Sequence, residues 1–220
     1  MAELFTRRHG RHLGLVHGGR SRRLRPVLQT GNQVHATWKA RLADQLGHVS
    51  LELSRSFAAD AMEHPLALAG LSSMASLTRL LPERDPHPSL YEVTLFVLGF
   101  LDDATVWPAL YVRWELALLE ELGFGLDLTQ CAATGGNDQL TYVSPKSGRA
   151  VSASAGEPYK DKLLALPQFL ARSSGAHARN DDIRDGLALT GYFLDTRVLS
   201  QRGEAMPEVR LRLAERLGRG

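Results

Sequence analysis

The residues best suited to chemistry are a cluster of arginines close to the N-terminus. Residues 7–25 read RRHGRHLGLVHGGRSRRLR, with seven arginines, three histidines and no acidic residue. From Leu4 to Ala43 there are nine Lys or Arg residues and no Asp or Glu. We call residues 4–43 the basic segment. Nine basic residues against Glu3 give residues 1–43 a charge of +8, which leaves −6 for the rest of a chain whose net charge is +2.

This charge asymmetry favours a polyanionic partner, either a nucleic acid or an anionic membrane surface. Arginine supplies 22 of the 26 basic side chains, and its planar guanidinium group suits bidentate contacts with phosphate. The alternative is a solvated basic surface with no specific partner. Because acids are absent over forty consecutive residues, we predict a surface that binds a polyanion.

The sequence offers little that could support catalysis. It contains no phosphate-binding G-x-x-x-x-G-K-[ST] loop and no G-x-G-x-x-G, G-x-S-x-G or H-E-x-x-H motif. His9 and His12 have no cysteine or carboxylate close by in the sequence, so a basic surface loop is favoured over a metal site. Ser144 and Lys146 leave a hydrolase with a serine–lysine pair as a weak alternative. We predict that the protein is not an enzyme and needs no cofactor.

Length and composition predict a soluble protein with a substantial core. The chain has 220 residues, of which 44% are hydrophobic. Its longest apolar runs, such as LFVLGFL at 95–101, are too short to span a bilayer, and no leader pattern precedes them. The single cysteine, Cys131, excludes an intramolecular disulfide and fits a reducing compartment. We therefore expect a cytoplasmic protein with no membrane partner.

The N-terminal part has the alternation typical of β-strands. In QVHATWKARL, residues 33–42, apolar and polar side chains alternate without a break. This places Trp38 in the core and turns Lys39 and Arg41 outward. Three further runs, separated by turn residues, are predicted strands: 12–16, 24–29 and 48–54. Four short antiparallel strands predict a small β-barrel or an incomplete one.

From about Phe57 the spacing of apolar residues becomes helical. The predicted helices are 64–81, 89–103, 107–125, 159–170, 180–201 and 207–217. Gly123 is placed to end the third helix. Asn180 or Asp181 is placed to cap the fifth.

An irregular stretch interrupts these helices. Residues 126–156 are rich in Gly, Ser, Thr and Asn, and they predict an insertion that contains a hairpin at 141–151. Trp107 and Trp114 lie in helical segments, and we expect both in the core.

Three stretches of the chain resemble one protein family. They are GRHLGLVHGGRSRRLRPVLQTGN, RWELALLEELGFGLDLTQCAATG and TYVSPKSGRAVS. In this order they are similar to the bacterial recombination-repair mediator family RecO, and the likeness runs from about Thr6 to the C-terminus. The resemblance implies an α+β chain with an N-terminal OB-fold over 1–56. An all-helical domain over 57–220 comes after it, with a finger-like insertion at about 126–156.

The resemblance also implies a function. Members of the family are non-enzymatic, bind single- and double-stranded DNA and anneal complementary strands. They engage the acidic tail of the single-stranded DNA-binding protein and work with RecR to help load RecA. DNA, RecR, that tail and, indirectly, RecA are the implied partners, in the cytoplasm at the nucleoid. An RNA- or ribosome-binding protein that uses the same basic surface is the alternative.

The arginine cluster then has a predicted role. OB-folds bind single strands through a positive groove that tracks the phosphates, so we predict contacts that do not read the base sequence. The predicted DNA-binding residues are Arg7, Arg8, Arg11, Arg20, Arg22, Arg23, Arg25, Lys39 and Arg41. If about four of them meet phosphates, log K falls with log salt on a single strand with a slope of roughly −3. Arg113 is the candidate receptor for the carboxylate that ends the acidic tail.

Two features depart from the family pattern. Members carry a further strand before the segment equivalent to LFTRRHGRHLG, so the predicted OB-fold lacks its first strand, and an unclosed barrel leaves an exposed edge. Some relatives hold zinc with four cysteines in the insertion. Here Cys131 keeps the first position, but Thr134 stands where C-x-x-C needs its partner. One thiolate cannot hold a structural zinc ion, so we predict no metal.

Overall fold

The computed structural model describes residues 1–42, 46–171 and 178–218, and the chain folds as two compact units. The first unit, Met1–Asp102, contains a β-sheet and then three helices. The second, Asp103–Gly220, contains mainly helices and one small sheet. The predicted α+β class is therefore confirmed. Every helix among the described residues is too short or too polar to span a bilayer.

Four strands form the sheet of the first unit. They are β1 (Ala2–Thr6), β2 (Gly10–Leu15), β3 (Gln33–Lys39) and β4 (Gly47–Arg55). Their order is β1-β2-β4-β3, in which β1–β2 and β3–β4 are antiparallel and β2–β4 is parallel. The prediction of a purely antiparallel arrangement is thus wrong. In the described part of the chain β1 and β3 are the two edges of an open sheet, and the predicted barrel is not confirmed.

One observed strand is absent from the sequence prediction, and one predicted strand does not form. Strand β1 reads AELFT, in which the adjacent apolar residues Leu4 and Phe5 break the alternation. Residues 24–29 form helical turns instead of a strand: the Arg25 N–H donates to the Ser21 carbonyl at 3.1 Å and the Leu28 N–H to the Leu24 carbonyl at 3.0 Å. Pro26 favours this outcome, because it has no N–H to donate to a sheet.

The alternation along β3 and β4 is only partly matched by burial. Val49 and Leu51 are buried at the centre of β4, but Leu53 is 44% exposed and Leu42, beyond the end of β3, is 58% exposed. An open sheet covers its centre better than its ends, which explains the difference. The edge strands β1 and β3 both line a cavity of about 790 Å³, together with residues of the later helices such as Leu71.

Three helices complete the first unit: α1 (Phe57–Met62), α2 (Pro65–Thr78) and α3 (Pro88–Leu98). The helices predicted at 64–81 and 89–103 are confirmed as α2 and α3, although both end earlier than predicted. A proline occupies the first turn of α2 and α3, where its missing N–H has no helical partner to lose. The predicted domain division after residue 56 stays a prediction, since the compact unit also includes these helices.

The connector between α2 and α3 is fastened to the sheet. The Arg84 N–H donates to the Arg11 carbonyl at 2.8 Å. Gly10, at the start of β2, has φ +60°, and a Cβ atom there would lie 1.9 Å from the carbonyl oxygen of Asp85. Glycine is therefore required at this close approach. The proline-rich connector, which the sequence marks only as a break, fixes one end of β2.

The second unit is built around α4. Its helices are α4 (Trp107–Glu121), α5 (Ala153–Gly156), α6 (Gln168–Ala171), α7 (Asn180–Phe193), α8 (Ser200–Arg202) and α9 (Glu208–Leu217), with a π-helical turn at Leu194–Leu199. Trp107 and Trp114 are almost fully buried, so their predicted core positions are confirmed. Gly123 (φ +84°) ends α4 as predicted: its N–H donates to Glu120 and the Phe124 N–H to Leu119, a Schellman motif.

The predicted hairpin in the insertion is confirmed. Strands β5 (Leu140–Val143) and β6 (Ala150–Ser152) pair antiparallel, and β7 (Leu164–Ala165) adds to the other side of β5. The single helix predicted over 159–170 is wrong. A 3₁₀ turn, the short strand β7 and α6 occupy this stretch, because Pro167 cannot continue a helix and disfavours helical backbone at the residue before it.

Helix α7 is capped differently from the prediction. Its N-cap residue is Arg179, whose backbone N–H donates to the Asp182 carboxylate at 3.0 Å. The predicted caps, Asn180 and Asp181, lie inside the helix, where their side chains cannot accept from the first turn in the N-cap manner.

Candidate nucleic-acid interface

The basic segment places most of its charged side chains at the surface. Of the nine predicted DNA-binding residues, Arg11 alone is half-buried. The exposed ones are Arg7, Arg8, Arg20, Arg22, Arg23, Arg25, Lys39 and Arg41. Arg20 to Arg25 lie in the turns between β2 and β3, whereas Lys39 ends β3.

Two of the nine are engaged within the protein. The Arg7 Nε atom lies 2.9 Å from the Glu92 carboxylate. Arg11 forms an ion pair with Glu3, approaches Glu83 at 3.7 Å and donates from Nε to the Leu81 carbonyl at 3.0 Å. The charge of Arg11 is therefore already neutralised, and its side chain joins β2 to β1 and to the connector that follows α2.

The other seven form no ion pair with any acidic residue that the structure describes. They are Arg8, Arg20, Arg22, Arg23, Arg25, Lys39 and Arg41. The turns at 18–28 bring some of them together: because Arg22 and Arg25 are three residues apart in a helical turn, they share one face of it. Exposed guanidinium groups without counter-charges suit phosphate contacts.

The amide of Asn32 holds this basic turn against helix α1. Its Nδ2 atom donates to the Pro26 carbonyl at 2.8 Å. Its Oδ1 atom accepts from the Ser56 hydroxyl at 3.1 Å and from the Ala58 N–H at 3.2 Å, at the start of α1. One side chain thus links two segments that are more than twenty residues apart in the sequence.

A groove of about 460 Å³ lies between the two segments that Asn32 joins. We call it the Arg22 groove. Arg22, Arg25, Pro26 and Gln29 form one wall, and Ser56, Ala58, Ala59 and Met62, in and just before α1, form the other. No carboxylate belongs to the described lining, so the groove combines two positive charges with an apolar surface.

Trp38 lies half-buried beneath the sheet surface. Its ring meets the His12 ring edge-on, with centroids 4.7 Å apart. Burial lowers the pKa of His12 below its usual value, and the positive charges of Arg84 and His9 lower it further. This environment favours a packing role for Trp38, as predicted, over a platform that stacks bases.

Arg113 lies exposed on α4. One of its guanidinium nitrogens donates to the Phe169 carbonyl at the start of α6. This bond holds the side chain against the surface of the second unit, while the residue as a whole is exposed.

The residues weighed for catalysis and metal binding serve local structure. The Ser144 hydroxyl accepts from the Ser147 N–H at 3.4 Å, inside the turn that joins β5 to β6. Cys131 is buried, and the Ser152 N–H donates to its sulfur at 3.2 Å. Burial raises the pKa of this thiol, but hydrogen bonds with Ser152 and Thr134 outweigh burial and lower it to about 6. Among the described residues no group of three or more His, Cys, Asp or Glu is placed to hold a metal ion.

The sequence reasoning missed a buried ion pair in the second unit. Arg210, on α9, donates from two nitrogens to the two carboxylate oxygens of Glu115, on α4, each at 2.9 Å. Tyr111 and Thr190 also donate to this carboxylate. Burial disfavours the charge of Arg210, but the adjacent Glu115 outweighs it and raises the arginine's pKa. The only signal in the sequence was an acid one turn after Tyr111, on the buried face of the helix.

Comparison with known proteins agrees with this arrangement of a basic, sheet-containing unit and a helical unit. The model of "Recombination protein O N terminal" matches residues 1–57, and that of "Recombination protein O C terminal" matches residues 62–204. The chain therefore belongs to the recombination protein O, or RecO, family.

Several relatives are similar over nearly the whole chain. The DNA repair protein RecO of Methylobacterium nodulans is 59% identical over 212 residues, covering 94% of this chain and 86% of that protein. RecO of Methylorubrum populi is 56% identical, covering 99% of this chain and 90% of that protein. RecO of Rhodospirillum centenum is 55% identical, covering 98% and 86%. The resemblance found in the sequence is confirmed, as is the link to DNA repair and recombination.

Proposed function

We propose that this chain is a non-enzymatic mediator of recombination repair that binds DNA through the basic segment. The observation that supports this proposal is a set of seven exposed basic side chains that form no ion pair with a described acidic residue. Charges that no internal partner neutralises can displace the counterions of a polyanion, which is the main source of affinity for a nucleic acid. The membership of the RecO family favours DNA as that polyanion.

The family also suggests the steps that come after DNA binding. In this proposal the chain binds single and double strands, anneals complementary strands, and works with RecR to help load RecA at the nucleoid. None of these steps requires a chemical reaction on the chain itself. The basic segment contributes a surface that approaches phosphates without reading bases, which suits a protein that must act on any sequence.

DNA binding is tested by fluorescence anisotropy with labelled single-stranded DNA, titrated over roughly 50 to 200 mM salt. We expect an affinity that falls steeply with salt in the wild-type chain and collapses in the Arg20/Arg22/Arg23→Ala variant. A matched control removes three arginines that pair with acids on the helices of the second unit, Arg179, Arg184 and Arg212. This control changes net charge equally and should lose far less affinity.

The outcomes separate the proposal from its rivals. Equal losses in both triple variants would mean that net charge, not the basic segment, governs binding. Tighter binding of RNA than of DNA at the same salt would favour the RNA- or ribosome-binding alternative. A folded wild-type chain that binds neither single-stranded nor double-stranded DNA would contradict the proposal.

For the acidic tail of the single-stranded DNA-binding protein we propose Arg113 as a contact. Its exposed guanidinium, held by the Phe169 carbonyl, can pair with a terminal carboxylate. We expect Arg113→Ala to weaken binding of an acidic peptide with a free C-terminal carboxylate, and to leave binding of the amidated peptide unchanged. Arg184→Ala is the control for loss of one exposed arginine on the same unit. Equal loss in both variants would contradict the assignment.

A further inference from the structure

The Arg22 groove has a composition that matches a single nucleotide better than a bare phosphate. Its volume of about 460 Å³ falls in the range of roughly 300–1,000 Å³ typical of clefts that hold small organic molecules. Arg22 and Arg25 offer charge for a phosphate. The facing wall offers the exposed side chains of Ala59 and Met62, which are apolar and would gain nothing from an anion.

We propose that the Arg22 groove holds one unstacked nucleotide of a single strand. The guanidinium groups of Arg22 and Arg25 contact its phosphate, and the base packs between the wall of α1 and Pro26. Guanidinium planes and apolar side chains both provide a surface for the face of a base, independent of its identity. The amide of Gln29 adds a polar group at the edge of this surface.

The walls of the groove are built before any strand arrives. Asn32 bonds to the Pro26 carbonyl on one side and to Ser56 and Ala58 on the other, which sets the separation of the two walls. A site that is already formed avoids the entropy cost of ordering loops on binding. Asn32 is therefore a positioning residue for the groove.

This inference rests on the proposed binding of DNA and adds a consequence to it. In a duplex the bases are paired and stacked, so a base cannot enter the groove without being unstacked. The phosphate contacts of the basic segment serve both forms of DNA. The Arg22 groove, by contrast, adds affinity only for single strands.

The test fills the groove without removing a charge. Ala59 is exposed and lines the groove, so Ala59→Trp places a large side chain in the space for the base. Three ligands of equal length are compared by anisotropy: oligo-dT, the same strand with abasic sugars throughout, and a duplex. Ala59→Ser controls for substitution at this position, and Ala205→Trp controls for an added surface tryptophan outside the first unit.

We expect Ala59→Trp to weaken binding of oligo-dT roughly tenfold, the order of magnitude of one lost base-stacking contact, with changes within about twofold for the other two ligands. An equal loss for oligo-dT and the abasic strand would overturn the nucleotide assignment, since only phosphates would then be bound. An unchanged affinity for oligo-dT would overturn it too. In both cases the wild-type chain still binds DNA, so the proposed function stands; a wild-type chain that binds no ligand would overturn both.

Discussion

Two arginines of the first unit, Arg22 and Arg25, and one of the second, Arg210, behave in opposite ways. Arg22 and Arg25 in the first unit are exposed and form no ion pair with a described acid, so their charges are available to a ligand in solution. Arg210 in the second unit is buried and makes a two-point contact with the Glu115 carboxylate. The same guanidinium group thus serves either a surface that attracts polyanions or a core that joins helices.

The difference teaches how to interpret charge in a sequence. A run of like charges without acids contains no opposite charge of its own, so it indicates a charged surface by itself. A single arginine among the many charged residues of α9 gives no such signal. Its role depends on an acid that lies 95 residues earlier in the chain.

The largest expected effect comes from breaking the buried pair. Glu115→Ala leaves the charge of Arg210 buried without a partner, so we expect a loss of about 3–5 kcal/mol in the free energy of unfolding, measured by urea denaturation. Glu120→Ala, an exposed acid on the same helix, should change stability by less than about 0.5 kcal/mol. The double variant Glu115→Met/Arg210→Met should lose much less than Glu115→Ala. If both variants lost the same amount, the unpaired charge would not be the cause.

The next effect tests the Asn32 hydrogen bonds that link residues 18–28 to α1. Asn32→Ala removes the acceptor of the Ala58 N–H and the donor to the Pro26 carbonyl, so we expect a loss of about 1–3 kcal/mol in stability. Single-strand affinity should fall as well, because the walls of the Arg22 groove lose their link. Gln29→Ala, which removes an exposed amide bonded only at 3.2 Å to the Arg25 carbonyl, should cost less than about 0.5 kcal/mol. If Asn32→Ala were as stable as wild type, the Asn32 hydrogen bonds would not stabilise the first unit.

A smaller effect separates two arginines within the basic segment. Arg11→Ala should cost about 1–2 kcal/mol of stability, because the side chain bonds to the Leu81 carbonyl and pairs with Glu3, and should leave the salt dependence of DNA binding unchanged. Arg8→Ala should do the reverse: it should leave thermal unfolding unchanged and make the salt slope on a single strand shallower by about 0.7. If Arg11→Ala also made the salt slope on a single strand shallower, Arg11 would contact phosphates despite its ion pairs.

The smallest expected effect is a pH dependence of the first unit. Burial lowers the pKa of His12 in the folded chain, so the unfolded chain binds more protons just below pH 6.5. Stability should therefore rise with pH between the lowered folded value and the ordinary one, and fall as the solution is acidified through that window. Arg84, His9 and Glu83 are the charged neighbours of this imidazole. We expect His12→Phe to reduce the slope of unfolding free energy against pH; an identical slope would contradict the shift.

The sequence predicted the local features well where a short pattern was decisive. Helices with clear apolar spacing, such as α2 and α4, formed as expected, and so did the hairpin of β5 and β6. Two of the errors came where one proline opposed an apolar run. LRPVLQ became helical turns around Pro26, and the helix predicted over 159–170 was broken before Pro167.

The sequence likewise predicted one part of the candidate site and missed another. The charge of the basic segment was visible at once, because it needs no information beyond the neighbours in sequence. The walls of the Arg22 groove were not, since α1 begins more than thirty residues after Arg22 and the Asn32 bonds that link them are made only in the folded chain.

By itself, then, the sequence determined the α+β class, the basic segment and the membership of the RecO family, because composition, periodicity and short motifs are local properties of the chain. Only the tertiary structure decided which charges are neutralised. It paired Arg7 with Glu92 and Arg210 with Glu115, and it left Arg22 in solvent. Burial and pairing depend on which distant segments the core brings together, and no local pattern records that choice.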